Sequence, residues 1–467
     1  MKHALLAAVA TLAITGCTTA GGGQQDTQSA SATPAARRVP VSADPYPSTY
    51  RAYPSVVTAI TGATIFDGEG GRIDNGTIVL ANGRIQAMGG ADTAIPDGAT
   101  RIDGAGRWVT PGVIDIHSHL GNYPSPGVEA HSDGNEVTSP VRPEVWAEHS
   151  VWPQDPGFSR ALANGGVTTL HVLPGSANLF GGRGVTLRNV PARTYQQMRF
   201  PGAPRSLKMA CGENPKRVYG GRNQMPQTRM GNVALMRQTW QRAAEYRDRI
   251  AREPNTARDM QLETLVEVLN GDILVQNHCY RADEMAIMLD MAREFGFRIA
   301  SFHHAVEAYK IADLLRESNT CASVWADWWG FKLESYDAVN ENAPLIHNAG
   351  ACAVIHSDDA NGIQRLNQEA AKTLADGRRM GIEISDETAW RWLAINPATA
   401  LGINEETGSL RVGKRADVVL WNGNPMSVYT RPQQVWIDGA MMYDMNNPRL
   451  RPVSDFELGQ PGEGDTK

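Results

Sequence analysis

With 467 residues, 42% of them hydrophobic and 20% charged, the chain is ordinary globular material. It has room for a barrel of roughly 250 residues plus a smaller domain. A formal net charge of −6 excludes the concentrated basic footprint of a nucleic-acid-binding protein. Of the five cysteines, Cys211, Cys279, Cys321 and Cys352 each sit in or beside an apolar, strand-like run, and none belongs to a CxxC pair. They are expected to be buried thiols rather than two disulfides, because free cysteine is among the most buried residue types.

The first residues read as an address. Met1-Lys2-His3 is a short basic start, and Ala4 to Ile14 is almost wholly apolar. That run is too short to span a bilayer but suits the core of a signal peptide. It ends in Ile14-Thr15-Gly16-Cys17, which resembles a bacterial lipobox. The resemblance implies cleavage before Cys17, acylation of its thiol, export, and a cell-envelope lipoprotein facing the periplasm. Thr18, rather than Asp, after Cys17 resembles sorting to the outer membrane. Residues 18–54 are rich in Thr, Gly, Gln, Ser, Ala and Pro without apolar periodicity, and predict a flexible tether.

Two distant stretches, 55–110 and 404–450, share short β-rich runs separated by Gly, Asp-Gly and Asn-Gly turns. They predict one small β-sandwich domain assembled from both ends of the chain, followed by a tail at 451–467. Between them, residues 111–403 alternate short apolar runs with helical patterns: VIDIH, VTTLHVLP, SLKMAC, DILVQNH, FRIASFHH, CASVWA and ACAVIHS. Continuous apolar runs are the mark of strands buried on both faces. The expected fold class is therefore α/β, a (β/α)8 TIM barrel carrying the small β-sandwich. Pro174 to Asn232 contains long loops that leave the middle strands hard to pair. Val233–Arg252 predicts a charged amphipathic helix, and Ser385 predicts the cap of the last helix, with Trp390, Trp392 and Leu393.

Polar residues recur at the C-terminal ends of the apolar runs, the rim that carries chemistry in such barrels. His117 and His119 close the first run; side chains at i and i+2 of a strand share one face, so both imidazoles can reach one metal. His278 ends a later run, His303-His304 another, and Asp358 follows the last. Zinc and related ions take imidazole nitrogen and carboxylate oxygen and leave a position for water in catalytic sites.

GATIFDG, GRWVTPGVIDIHSH, GGVTTLHVLPGSAN, the later histidines, the Ser-Asp after the last run, NPATALG and GSLRVGKRADVVLW together resemble the amidohydrolase superfamily, over nearly all of residues 55–445. LKMACGENPKR, TRMG and the EAYK after His304 resemble a subgroup that includes imidazolonepropionase-like and prolidase-like amidohydrolases. The resemblance implies a metal-dependent hydrolase of carbon–nitrogen bonds in amides or small peptides, using one or two divalent ions, zinc above all, with manganese or iron as alternatives. His117, His119 and Asp358 would hold the more buried metal, His278 and His304 a second. A bridging ligand would come from Lys208, once carboxylated, or from Glu213; Glu213 is preferred because it is already an anion. His303 rivals His304, and Asp359 rivals Asp358.

Asp358 would act as the proton-transferring base, and His304 would help to polarise the carbonyl. Arg217, Arg222 and Arg229 are candidates to bind a substrate carboxylate, since guanidinium forks match carboxylates. Trp325, Trp328 and Trp329 would form an apolar wall or belong to the core. Gly175-Ser176 and Gly181-Gly182-Arg183 would form a lid or pocket loop. The partner is a small molecule, with membrane contact through the N-terminal lipid alone. Rival readings are a mononuclear deaminase lacking the bridging ligand and a surface-tethered metal- or ligand-binding protein without catalysis.

Overall fold

The computed structural model describes residues 39–41 and 44–451. The signal segment, the lipobox with Cys17, most of the tether and all but the first residue of the 451–467 tail lie outside the described residues.

Strands β1 (Thr58–Phe66), β2 (Arg72–Ala81), β3 (Arg84–Gly89), β4 (Thr100–Asp103) and β5 (Trp108–Pro111) come from the first β-rich stretch. The barrel strands are β6 (Val113–Ser118), β7 (Val167–Val172), β8 (Phe180–Arg188), β9 (Arg205–Ala210), β10 (Ile273–His278), β11 (Ile299–His303), β12 (Cys321–Val324) and β13 (Cys352–Ile355). β14 (Val418–Trp421), β15 (Pro432–Ile437) and β16 (Ala440–Asp444) return to the first group.

The outer strands pair in one sheet, in the order β16-β15-β14-β5-β1-β2-β3, with β4 beside β1. All eight strands belong to this one sheet, and Ile78 of β2 and Trp436 of β15 belong to one buried cluster. At the start of β3, exposed Arg84 and Gln86 flank buried Ile85, the alternation expected where one face is dry.

The barrel sheet runs from β6 to β13 in chain order. It departs from the all-parallel expectation at one place. β8 is antiparallel to both β7 and β9, and only a short loop without a helix joins it to β7. The sequence reading missed this strand because FGGRGVTLR carries three glycines and two arginines, a composition that reads as loop. The arginines are satisfied inside: Arg183 forms an ion pair with Glu267 at 2.7 Å, and Arg188 donates to Asp417 at 2.7 Å. The other units follow the expected pattern. Helix Pro156–Gly165, for instance, is capped by Asp155, which accepts from the Gly157 amide, and ends on Gly166 in the left-handed region at φ 63°. A Cβ on Gly166 would stand 2.9 Å from Val419, so glycine also allows the turn into β7 to press against the smaller sheet. The seam between β13 and β6 is closed by the Asp358 amide donating to the His117 carbonyl at 3.0 Å and by the Ser357 amide and hydroxyl donating to buried Asp115. Ser385 caps the short helix Asp386–Ala389, which continues as a 3-10 turn through Trp390–Leu393.

The segment before β1 is held along the barrel. Val39 and Asn270 exchange two hydrogen bonds, the Thr49 amide donates to the Gln196 carbonyl, Ser48 donates to the Arg199 carbonyl, and Tyr50 donates to Asp438. Asn270 precedes β10, and Gln196 and Arg199 lie between the end of β8 and the start of β9. These anchor points lie where the parallel strands begin, the end opposite the histidine-bearing rim.

The four cysteines form two disulfides, Cys211–Cys279 and Cys321–Cys352, which corrects the expectation of buried thiols. The reason is register. Cys321 and Cys352 are direct partners on adjacent parallel strands, with Cα atoms 4.5 Å apart. Cys211 and Cys279 each follow the last paired residues of β9 and β10, with Cα atoms 5.3 Å apart. Both spacings are within disulfide reach, and neither can be read from sequence separation.

A candidate metal centre at the barrel mouth

Seven side chains from four strand ends converge at the mouth. His117 is fully buried and His119 slightly exposed; both Nε2 atoms point at Asp358, whose Oδ1 stands 3.2 Å from the first and 3.1 Å from the second. The two Nε2 atoms are 3.3 Å from each other. Asp358 and His304 both occupy the left-handed backbone region, at φ 59° and 57°. Such conformations are costly outside glycine and are retained where a side chain must be aimed.

Hydrogen bonding sets the tautomers of this pair. The Gln276 amide nitrogen donates to the Ala400 carbonyl at 3.0 Å, which leaves its Oε1 as an acceptor. His303 Nε2 donates to that oxygen at 2.7 Å, so His303 Nδ1 carries the lone pair. His117 Nδ1, 2.9 Å away, must donate to it, and His117 Nε2 is left unprotonated. His119 Nδ1 donates to the Leu173 carbonyl at 2.9 Å, so in the neutral ring its Nε2 carries the lone pair as well. Burial pushes His117, His278, His303 and His304 well below the usual histidine range, opposed by Asp358 at His278 and His304, so these rings are neutral near pH 7. Burial opposes ionisation of Asp358 too, but the imidazoles around it, His304 first, hold the carboxyl below its usual range. Three lone-pair atoms therefore face one point with no proton among them. That donor set fits a divalent cation of nitrogen and carboxylate preference. Replacing Gln276 with leucine is expected to free His303 and His117 to change tautomer. Metal content per chain, measured by atomic emission after dialysis, should fall; outer partners of this kind typically contribute ten- to a hundredfold in affinity.

The remaining predicted residues divide. His304 Nε2 is 3.8 Å from Asp358 Oδ2, and its ring stacks on Trp325 at 4.5 Å. The His278 ring is 4.9 Å from that of His304, and its Nδ1 is bonded to Ser176 Oγ at 2.8 Å. Ser176 thus touches the site, whereas Gly181, Gly182 and Arg183 lie inside β8 and form no lid. His303 serves behind His117, as described. Asp359 accepts from the amides of Asn361 and Gly362 and caps the next turn, turned away from the cluster.

Lys208 and Glu213 differ sharply. Lys208 lies on β9, is wholly buried, and its Nζ has no hydrogen-bond partner. Burial brings its amine down to about 7, and its charge is felt by His117, His278, His303 and His356. Glu213 opens helix Glu213–Gly220, is partly exposed, and has Lys332 Nζ at 3.8 Å. The preference for Glu213 as the inward-facing residue is not what the geometry favours: β9 aims Lys208 into the barrel, while the glycine turn at Gly212 carries Glu213 up to the rim.

The sequence reading passed over two residues. His356 Nε2 accepts from the His304 amide at 3.4 Å, and His356, His117 and His304 each offer a nitrogen within 4.8 Å of the others. Gln276 anchors the tautomer chain. Both stand two residues before a residue already singled out, His356 before Asp358 and Gln276 before His278. For Gln276 the period of two that puts alternate strand residues on one face was the available signal, whereas His356 lies past the end of β13, where that period no longer holds.

Among the arginines, Arg229 is engaged by Glu284 at 3.0 Å and by Glu334, and Arg222 donates to the Val137 carbonyl. Arg217 lies on helix Glu213–Gly220 near Lys332. Trp325 is buried against His304, while Trp328 and Trp329 are exposed on the following loop.

Residues 108–447 match the amidohydrolase family, and the chain belongs to it. It is 29% identical to the amidohydrolase tasK of Hapsidospora irregularis over 82% of its own length, and spans only 41% of that larger protein. It is 25% identical to the imidazolonepropionase of Pseudomonas putida, with 77% of this chain and 90% of that one aligned. The crystal structure of an amidohydrolase from Thermotoga maritima superposes with a TM-score of 0.75 at 32% identity, covering 83% of this chain and all of the other. The family is one of hydrolases that usually carry a divalent metal, and the histidine cluster occupies the position such a metal would need.

Proposed function

We propose that the protein hydrolyses a carbon–nitrogen bond in an amide or small peptide, with two divalent cations, zinc first among them, at the barrel mouth. The observation that carries this reading is the set of unprotonated His117 and His119 nitrogens aimed at ionised Asp358. When bound, a divalent cation supplies Lewis acidity, acidifying water and polarising a carbonyl. His117, His119 and Asp358 Oδ1 would hold one ion; His278 and His304 would hold the other, with His356 next to them. Lys208 is our choice of bridging ligand over Glu213. A buried amine with a pKa near neutrality keeps a substantial uncharged, nucleophilic fraction, the form that takes up carbon dioxide and releases a proton to become a carbamate. Asp358 Oδ2, the oxygen turned toward His304, would receive the proton of the attacking water and return it to the leaving nitrogen.

The experiment is reconstitution of metal-stripped protein with zinc, with and without bicarbonate, followed by metal analysis and a hydrolysis panel of N-acyl amino acids and dipeptides. Two ions per chain and activity with bicarbonate, falling to about one ion without it or in Lys208→Ala, support the binuclear hydrolase. One ion under all conditions, with activity on amino-heterocycles instead, supports the mononuclear deaminase.

We further propose that the chain is exported and anchored through Cys17. Two intrachain disulfides support an oxidising compartment.

A further inference from the structure

Beyond the metal cluster, the mouth holds a cation and an aromatic shelf that no step above uses. Lys332 is mostly buried, with its side chain 16% exposed, an unusual place for a lysine. Its Nζ donates to Asn214 Oδ1 at 3.0 Å, and the amide nitrogen of Asn214 is 3.5 Å from His278 Nε2. Nζ also stands 4.0 Å above the Tyr280 ring, which packs edge-on against His278 and stacks with His304. The nearest carboxylates, Glu213 and Glu334, are at 3.8 and 4.0 Å, beyond hydrogen-bond distance. Glu334 is already engaged by Arg229. An ammonium has three donors, and one conventional acceptor is in place. The cation thus sits one amide beyond His278 and one ring beyond His304.

Beside it runs an aromatic surface that starts at the metal cluster and ends in solvent. Trp325 stacks on His304; Trp328 and Phe331 pack against Trp325 at 5.8 and 6.0 Å and are 39% and 60% exposed. Phe331 also meets the Tyr280 ring at 6.5 Å, next to Lys332. Exposed aromatics are unfavourable in water unless something covers them.

We propose that Lys332 and this shelf form the substrate subsite, and that the substrate is an N-acyl-α-amino acid or dipeptide with a free carboxylate and a large apolar side chain. The carboxylate binds Lys332 Nζ, and the side chain lies on Trp328 and Phe331. The chemistry matches the spacing: in such a molecule the carboxylate is one carbon away from the amide nitrogen, so a cation beside His278 meets it while the amide faces the metal cluster. Lys332 takes the part assigned from sequence to Arg217, Arg222 and Arg229: the last two are engaged elsewhere, and Arg217 stands on the helix beside Lys332.

This substrate class rests on the amide-hydrolase reading, and the test separates the two. Zinc-loaded protein and its Lys332→Met and Lys332→Arg variants are compared on N-acetyl-L-phenylalanine and N-acetyl-L-phenylalaninamide, by hydrolysis and by tryptophan fluorescence titration. The expected result is a preference for the acid over the amide of roughly ten- to a hundredfold in KM or Kd, the range for one hydrogen bond to a charged group. Lys332→Met abolishes the preference and Lys332→Arg retains part of it. Selective binding of the acid without hydrolysis upholds the subsite and counts against the hydrolase reading. Equal affinity for acid and amide, a preference that survives in Lys332→Met, or binding of neither overturns the subsite. Hydrolysis of the amide alone overturns it while leaving the hydrolase reading standing.

Discussion

Asp358→Asn is expected to lower kcat by about three to four orders of magnitude while leaving the fold intact. General acid–base catalysis alone contributes roughly a hundred- to ten-thousandfold, and this carboxylate has a second part to play. Its Oδ1 is the third donor facing His117 and His119. Asparagine is isosteric and keeps the backbone amide that bonds the His117 carbonyl across the barrel seam. It can neither take a proton from water nor balance a cation's charge. Steady-state kinetics, metal analysis and circular dichroism on one preparation check this. An Asp358→Asn enzyme retaining more than about a tenth of the wild-type kcat would remove Asp358 from proton transfer. Loss of metal with native circular dichroism would place its main effect on ion retention.

Breaking the disulfides is expected to cost stability on the largest scale in this molecule. The Cys211–Cys279 link closes a loop of 68 residues and the Cys321–Cys352 link one of 31. Loop-closure entropy assigns each about 4 kcal/mol, which is a substantial share of the roughly 5–15 kcal/mol that holds a typical domain folded. The two differ in what else they hold. Cys279 directly follows His278, and Cys211 lies two residues before Glu213, so removing this bridge should loosen the rim as well as the chain. Cys321–Cys352 joins the starts of β12 and β13, away from the mouth. Thermal denaturation of Cys211→Ala/Cys279→Ala and Cys321→Ala/Cys352→Ala proteins should show both melting at lower temperature, with only the first losing metal affinity before it unfolds. Equal melting temperatures for the wild type and both variants would contradict this ledger.

Much of the site was legible because strand ends announce themselves. An apolar run that stops in a histidine or aspartate places that side chain at the barrel rim, and His117, His119, His278, His304 and Asp358 all follow this rule. What the sequence concealed was of three physical kinds. Gln276 and His303 act through tautomer control, which depends on which atoms meet across the barrel. Lys332 lies in a loop where no periodicity exists to say which way a side chain faces. β8 hides its identity because its glycines and arginines obey contacts with Trp146, Glu267 and Asp417 rather than strand propensity. The arginine cluster after Glu213 read as substrate-binding because charge is visible in sequence and its partners are not: Glu284 and Glu334, far along the chain, account for Arg229.

The strap formed by residues 39–41 and 44–53 crosses the barrel at the end where its parallel strands begin. The chain therefore enters the described fold, at Val39, at the pole opposite the histidine cluster. Anything joined to the chain ahead of Val39 therefore attaches at the pole away from the histidines, not at the mouth.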